Sequence, residues 1–318
     1  MFKLNILDYM FEIQVDNQYV KSYLLYRFGQ FEVRGSVEGH GVMFKIEQVQ
    51  TFEKSELVVL SKRVVETDDY TYENKNKIIR VLNFKNIVIY DGSNKTIRFH
   101  IEDKIDKIYF LIALDIYFFI IYFLYSRSII GLHGGCITLN GVMEDGVIFC
   151  GKSGSGKSTI ILKMLERQEK FTNDDNLMLK IEGGNLIAYK NPQLVGLQIE
   201  NLNERFKYLK NYVKSNIKYV EKCRVDYWAY NSGAYADKIY VKKIVWIDSR
   251  RLQDAEIFDM GFTALFSELI DSIVPFRNFE INFILDQIIH AIQLCKIYQL
   301  VPSQDIESTL KCIYGKLG

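Results

Sequence analysis

The sequence predicts an α/β fold with mixed α+β elements: a P-loop core preceded by a β-rich N-terminal region. Three observations carry that expectation. Short apolar runs separated by turn candidates fill residues 1–100. An apolar strand, a glycine loop and a helical pattern follow one another over residues 146–165. Helical periodicity then dominates the chain from ALFSELI (264–270) onward.

Three segments follow from this pattern: a β-rich region of unassigned role at 1–104, a buried connecting helix at 105–128, and a P-loop domain at 129–318. In the first, LLYRF (24–28), EVRGSV (32–37), GVMFKIEQV (41–49), ELVVL (56–60) and NIVIY (86–90) read as strands, with turns at Gly35, Gly41 and Asp91-Gly92. His40 and His100 stand singly there and suit packed or surface imidazoles better than metal ligands. Residues 108–125 approach the length of a bilayer span. Asp115 in the middle of that run, and the even flanks of Lys104, Lys107 and Arg127, favour a helix packed inside the protein.

Composition excludes several classes. Lys plus Arg (40) against Asp plus Glu (39) gives a net charge of +1, so no global field recruits nucleic acid or an anionic membrane. Five cysteines, an odd number without a CxxC pair, argue against a disulfide framework or structural zinc and suit a reduced, cytoplasmic protein. Asp8 and Glu12 interrupt the stretch where a signal peptide would be apolar. A homo-oligomer is compatible with this composition.

The chemistry centres on GKSGSGKST, residues 151–159. Gly151, Gly154 and Gly156 let successive backbone N–H groups converge on phosphate oxygens. A helix starting near Ser158 adds its own free N–H groups and dipole. Lys157 is placed to reach the β- and γ-phosphates, and the Ser158 hydroxyl to ligate the bridging Mg²⁺. Ser153, Ser155 and Thr159 complete the nucleotide-binding stretch, and ATP with Mg²⁺ is the expected ligand.

Upstream, residues 131–150 read as two short strands with turns at Asn140-Gly141 and Asp145-Gly146; His133 lies in their glycine-rich start, where a site role competes with a structural hydrogen bond. Downstream, Asp174 and Asp175 follow Lys157 by fewer than twenty residues, a span that one helix and one turn can fill. Paired acids beside a Mg²⁺-nucleotide can hold the metal or take a proton from an attacking hydroxyl; otherwise they form a solvated turn. NLMLKI and NLIAYK form a hairpin candidate across Gly183-Gly184. Lysines 207, 210, 214, 218 and 222 are spaced as one solvated helical face, and residues 223–238 read as an aromatic loop. An apolar strand ending in Asp248 offers a rival metal carboxylate, followed by Arg250 and Arg251. The run from Phe279 to Leu300 reads as one amphipathic helix, with His290 packed on its apolar side.

The order LHGG, two short strands, GKSGSGKST and TNDD resembles the C-terminal catalytic domain of HPr kinase/phosphorylase and its smaller relatives, some of them encoded with peptide-maturation systems. The likeness covers roughly residues 130–315, with its specific motifs within 131–175. It implies a fold related to phosphoenolpyruvate carboxykinase, His133 near the phosphates, and Asp174 and Asp175 as the acidic pair, one acting as base. The family's Leu-Glu-Ile-Arg-Gly signature is replaced here by Leu197-Gln198-Ile199-Glu200-Asn201, which points away from the phosphocarrier as substrate. Glu200 is left by the resemblance as a metal-side carboxylate beside Ser158 and Asp175. The expected activity is an ATP- and Mg²⁺-dependent kinase acting on a hydroxyl, serine foremost, of a peptide or protein. The alternatives are a nucleotide-gated binding module and a P-loop ATPase using Asp248.

Overall fold

The computed structural model describes residues 2–6, 9–28, 32–33, 43–50, 69–74, 77–82, 86–101, 109, 111–112, 115–116, 119–120, 123–124, 128–191, 194–217, 222–269 and 281–318. It is a mixed α/β structure with several sheets, and the chain divides into two compact units, Met1–Phe123 and Leu124–Gly318. The expected strand at 56–60, most of that at 32–37, His40 and the turns at Gly35 and Gly41 lie outside the described residues.

In the first unit, strands β1 (Phe2–Ile6), β2 (Tyr9–Gln14), β3 (Met43–Gln48), β4 (Asp69–Asn74), β5 (Lys77–Leu82), β6 (Asn86–Asp91) and β7 (Thr96–His100) form one sheet in the order β1-β2-β3-β7-β6-β5-β4. Alternation fixes the inner face: Phe2, Leu4 and Ile6 of β1 are buried, as are Ile97 and Phe99 of β7. The segment LLYRF is helical, not extended; it closes α1 (Gln18–Phe28). Val20, Leu24 and Phe28 recur every four residues and are fully buried, so the 3.6-residue period wins over strand propensity. Asn17 caps this helix, its Oδ1 accepting from the backbone N–H groups of Tyr19 and Val20 at 3.0 Å. Within 109–123, Ile112, Asp115, Ile116, Phe119, Ile120 and Phe123 are helical and buried. No helix among the described residues is long and apolar enough to cross a membrane.

The second unit holds β8 (Ile129–His133), β9 (Gly135–Leu139), β10 (Val142–Gly151), β11 (Phe171–Asn173), β12 (Asn176–Glu182), β13 (Asn185–Tyr189), β14 (Val195–Gln198), β15 (Val213–Ile217), β16 (Lys222–Val225), β17 (Lys238–Ile247), β18 (Glu256–Asp259) and β19 (Lys296–Val301). Its helices are α2 (Lys157–Leu165), α3 (Ile199–Glu204), α4 (Tyr227–Asn231), α5 (Phe262–Leu269), α6 (Ile281–Gln293) and α7 (Ile306–Leu317). The main sheet runs β11-β9-β10-β17-β13-β12-β8 and forks at β17. On one side β17 pairs in parallel with β10; on the other it pairs antiparallel with β13 through Lys238–Val241 and in parallel with β19 through Lys243–Ile247. A second sheet of order β14-β16-β15 supplies one wall of the site described below.

Several local expectations change. Asn140 (φ +56) and Gly141 (φ +71) do make the β9–β10 turn, but Asp145-Gly146 lies inside β10, where the register shifts at a bulge and Asp145 pairs with Lys243. The expected lysine stripe is not one helix: Lys207 and Lys210 occupy a 3₁₀ turn at Lys207–Tyr212, while Lys214 and Lys222 lie on β15 and β16; Lys218 falls outside the described residues. Cross-strand burial of Val225 and Cys223 overrides the charge spacing. The aromatic loop is likewise structured, its Tyr227 and Tyr235 packing on Phe171 with ring centroids 5.6 and 4.2 Å apart. The run ending at Leu300 breaks after Gln293, its tail becoming β19, and His290 is exposed.

Candidate active site

β10 carries the chain into the P-loop alongside β17, with Gly151 opposite Ile247. Gly156 caps α2 at φ +101, a left-handed conformation that a side chain would resist. Beyond it, Ile160, Ile161, Met164 and Leu165 are buried, anchoring the helix and so fixing where its N-terminal N–H groups point. Lys157 is buried and donates to the carbonyls of Gly151 at 2.6 Å and Lys152 at 3.1 Å.

The acidic pair reaches this loop because β11 pairs with β9 and β12 pairs with β8, where Asn176 stands opposite His133. Between them, Asn173 makes the turn: its Oδ1 accepts from Asp174 N–H at 2.7 Å and its Nδ2 donates to Asn176 O at 2.5 Å. Gly135 is needed here for space. A Cβ at that position would sit 2.9 Å from Asp174 Cα and 2.0 Å from Ile161 Cδ1.

The two carboxylates then differ sharply. Asp175 is partly exposed; Oδ1 lies 3.0 Å from His133 Nδ1 and Oδ2 lies 3.6 Å from the Arg224 guanidinium. Asp174 is 1% exposed, and neither of its oxygens has a hydrogen-bond partner. Burial, reinforced by the Asp175 charge, pushes its carboxyl from 3.8 to about 7. The Ser158 hydroxyl opposes that shift, as do Arg224 and His133. Ser158 is therefore close enough to act on Asp174, yet its contact falls short of hydrogen-bond geometry, and the unmet oxygens are the decisive observation.

These groups line one cavity of about 240 Å³. Ser153, Gly154, Gly156, Lys157, Ser158 and Thr159 border it, as do His133, Asp174 and Asp175. Gly151 and Ser155 belong to the loop but not to the lining, and the buried Ser155 Oγ is unpartnered. Glu200 is exposed on α3 and does not line the cavity; its neighbours Gln198 and Asn201 do. Asp248 faces a different cavity, with Lys152 and Glu268. Its Oδ2 accepts from Arg250 at 2.6 Å and from Gln299 at 3.0 Å, and Arg250 holds its carboxyl down at about 2.

Arg205, Arg224 and Arg251 also line the cavity. Arg224 was invisible as a site residue because a single arginine in a short strand has no spacing signature. It lies against Gly196, where a Cβ would meet its Nη1 at 3.0 Å.

Positive-φ glycines shape a backbone concavity, and an orphaned buried carboxylate sits beside a hydroxyl, the donor set that a hard cation completes with phosphate and water oxygens. Among the described residues no group of three His, Cys, Asp or Glu side chains forms a self-sufficient metal site. The residues fit a cation held jointly with phosphates.

No family model matches the sequence, and no curated protein matches it. Among solved structures, the Hpr(Ser) kinase/phosphatase from Coxiella burnetii is similar at 17% identity with a TM-score of 0.26, covering 36% of this chain and 58% of that one. The overlap thus spans less than two thirds of that kinase/phosphatase.

Proposed function

We propose that this protein is a kinase that transfers the γ-phosphoryl group of a Mg²⁺-nucleotide, ATP foremost, to a hydroxyl of a peptide or protein, with serine the favoured acceptor. One observation carries the reading: a buried, unpartnered Asp174 and a His133–Asp175 pair share a cavity with the P-loop. A loop that only held phosphate would gain nothing from an uncompensated buried carboxylate.

The geometry supports distinct roles for the two acids. Asp174 and Ser158 would hold the Mg²⁺, so the metal-side carboxylate proposed is Asp174 rather than Asp175 or the exposed Glu200. Bound there, the cation neutralises charge on the phosphates. Asp175 accepts the acceptor's hydroxyl proton as that oxygen bonds to phosphorus and the bond to the departing nucleoside diphosphate breaks. His133 orients Asp175 through the 3.0 Å contact. Lys157 exchanges its loop carbonyls for phosphate oxygens and stabilises their charge. The five unpaired cysteines suit a reducing compartment, and the cytoplasm is the one proposed.

Incubation with labelled ATP and peptides or proteins encoded nearby, followed by mass spectrometry, tests this. Asp175→Asn is expected to keep nucleotide affinity and lose roughly 10²–10⁴-fold in transfer. Slow hydrolysis with no labelled acceptor would favour a nucleotide-gated binding module instead. Loss of turnover in Asp248→Asn, with Asp175→Asn unaffected, would favour an ordinary P-loop ATPase.

A further inference from the structure

The kinase reading uses Lys157, His133 and the acidic pair, and leaves two cations of the same cavity unassigned. Arg205 and Arg251 both line it, and among the described residues neither makes an ion pair with a carboxylate. They are near enough to repel: the Arg205 charge, after burial, holds Arg251 below the usual guanidinium range. Nor is either among the charges acting on Asp174, which come from Asp175, Arg224 and His133.

Arg251 is attached along the backbone side of the loop. Arg251 Nη2 donates to Ser155 O at 2.7 Å and borders Gly156, where a Cβ would stand 3.0 Å away. Its base is fixed, since Leu252 N–H donates to Pro302 O at 3.0 Å and Gln304 N–H to Leu252 O at 3.3 Å. Arg205 follows α3, which is tied to the first turn of α2 by Asn201 Nδ2 donating to Thr159 Oγ1 at 3.5 Å. In a P-loop the backbone N–H groups cradle the α- and β-phosphates, whereas the lysine and metal serve the γ end. The Asp248 charge acts on Arg251 in the opposite sense to Arg205 but without an ion pair. Two like charges thus share the cavity with no carboxylate among the described residues bound to either, and are complementary to a ligand anion at that place.

We propose that Arg205 and Arg251 form an anion subsite for the α- and β-phosphates of a nucleoside di- or triphosphate. The phosphoryl donor is then a nucleotide, and inorganic pyrophosphate in the β/γ positions, with no α-phosphate, engages this subsite only through its β-phosphate. The inference rests on the nucleotide reading above and adds a residue pair to it.

Calorimetric binding of ATP, ADP and pyrophosphate, each with Mg²⁺, tests it on the full chain, with Lys157→Ala as the cradle control. For Arg205→Ala, ATP and ADP affinities are expected to fall on the order of tenfold, the loss of one charge-assisted contact, with a loss for pyrophosphate several-fold smaller. Arg251→Lys, which keeps charge but loses the Nη2 bond to Ser155 O, is expected to show the same selectivity more weakly. Equal losses for ADP and pyrophosphate, or none for either with the melting temperature unchanged, overturn the subsite. If the unaltered protein binds neither ATP nor ADP, the nucleotide reading itself falls, a result distinct from a subsite failure.

Discussion

Asp174 is a residue whose cost is visible in isolation. Its carboxyl is raised from 3.8 to about 7, so the folded state favours the protonated form and the unfolded state the ionised one. Stability contributed by this group is therefore lost as pH rises from about 4 to about 7 and stays low above that, by at most about 4 kcal/mol before solvent relaxation. Urea denaturation of the metal-free protein at pH 4.5 and 7.5 should show the unaltered chain losing stability relative to Asp174→Asn over that interval. Parallel curves would remove the strained carboxylate from the reading. Gly135→Ala is the companion test of space: the added methyl crowds Asp174 Cα and Ile161 and should cost about 1–3 kcal/mol, together with most of the phosphate transfer. An unchanged melting temperature and rate would show that the β9 edge yields without moving the acid.

At the level of elements, local motifs were legible and long-range partners were not. Residues 131–175 name the loop, His133 and both acids because the β–loop–α unit and its short return keep them contiguous. The hairpin across Gly183-Gly184 was equally readable. Arg224 was missed, since it reaches Asp175 only when a second sheet folds across the cavity. α1 and β19 were misread for a common reason: short apolar runs fit either period until tertiary packing chooses. Glu169 gave no signal at all, yet its buried carboxylate accepts from Thr138 Oγ1 at 2.7 Å, Asn140 N–H at 2.9 Å, Gly141 N–H at 2.8 Å and Tyr314 Oη at 2.9 Å. It joins the β9–β10 turn to α7. Glu169→Gln should lower stability by about 1–3 kcal/mol with little change in nucleotide affinity, checked by urea midpoints beside calorimetry. An unaltered midpoint would show those four donors finding water instead.

For the whole molecule, every residue placed around the cavity belongs to the unit Leu124–Gly318. A chain of residues 124–318 that folds cooperatively is expected to bind Mg²⁺-ATP within about threefold of the full protein, a difference of about 0.7 kcal/mol. A folded fragment without affinity would give residues 1–123 a direct part in the site. The acceptor's binding surface is the larger question that comparison of the two chains can open, since transfer could depend on the first unit where nucleotide binding does not.

The fork at β17 also sets an order of events in time. This strand joins the β11-β9-β10 strands, which carry the phosphate loop and lead into the acids, to the β13-β12-β8 branch that carries His133, and its Lys243 meets Asp145 across 98 residues of chain. While the ribosome is still short of residue 247, β11-β9-β10 with the glycine loop and β13-β12-β8 with His133 have been synthesised but have no strand between them to make one sheet. Such late, non-local closure makes for slow folding and leaves strand edges open in the interim. A nascent chain of this protein is thus without the assembled cavity until well after residues 151–159 have emerged.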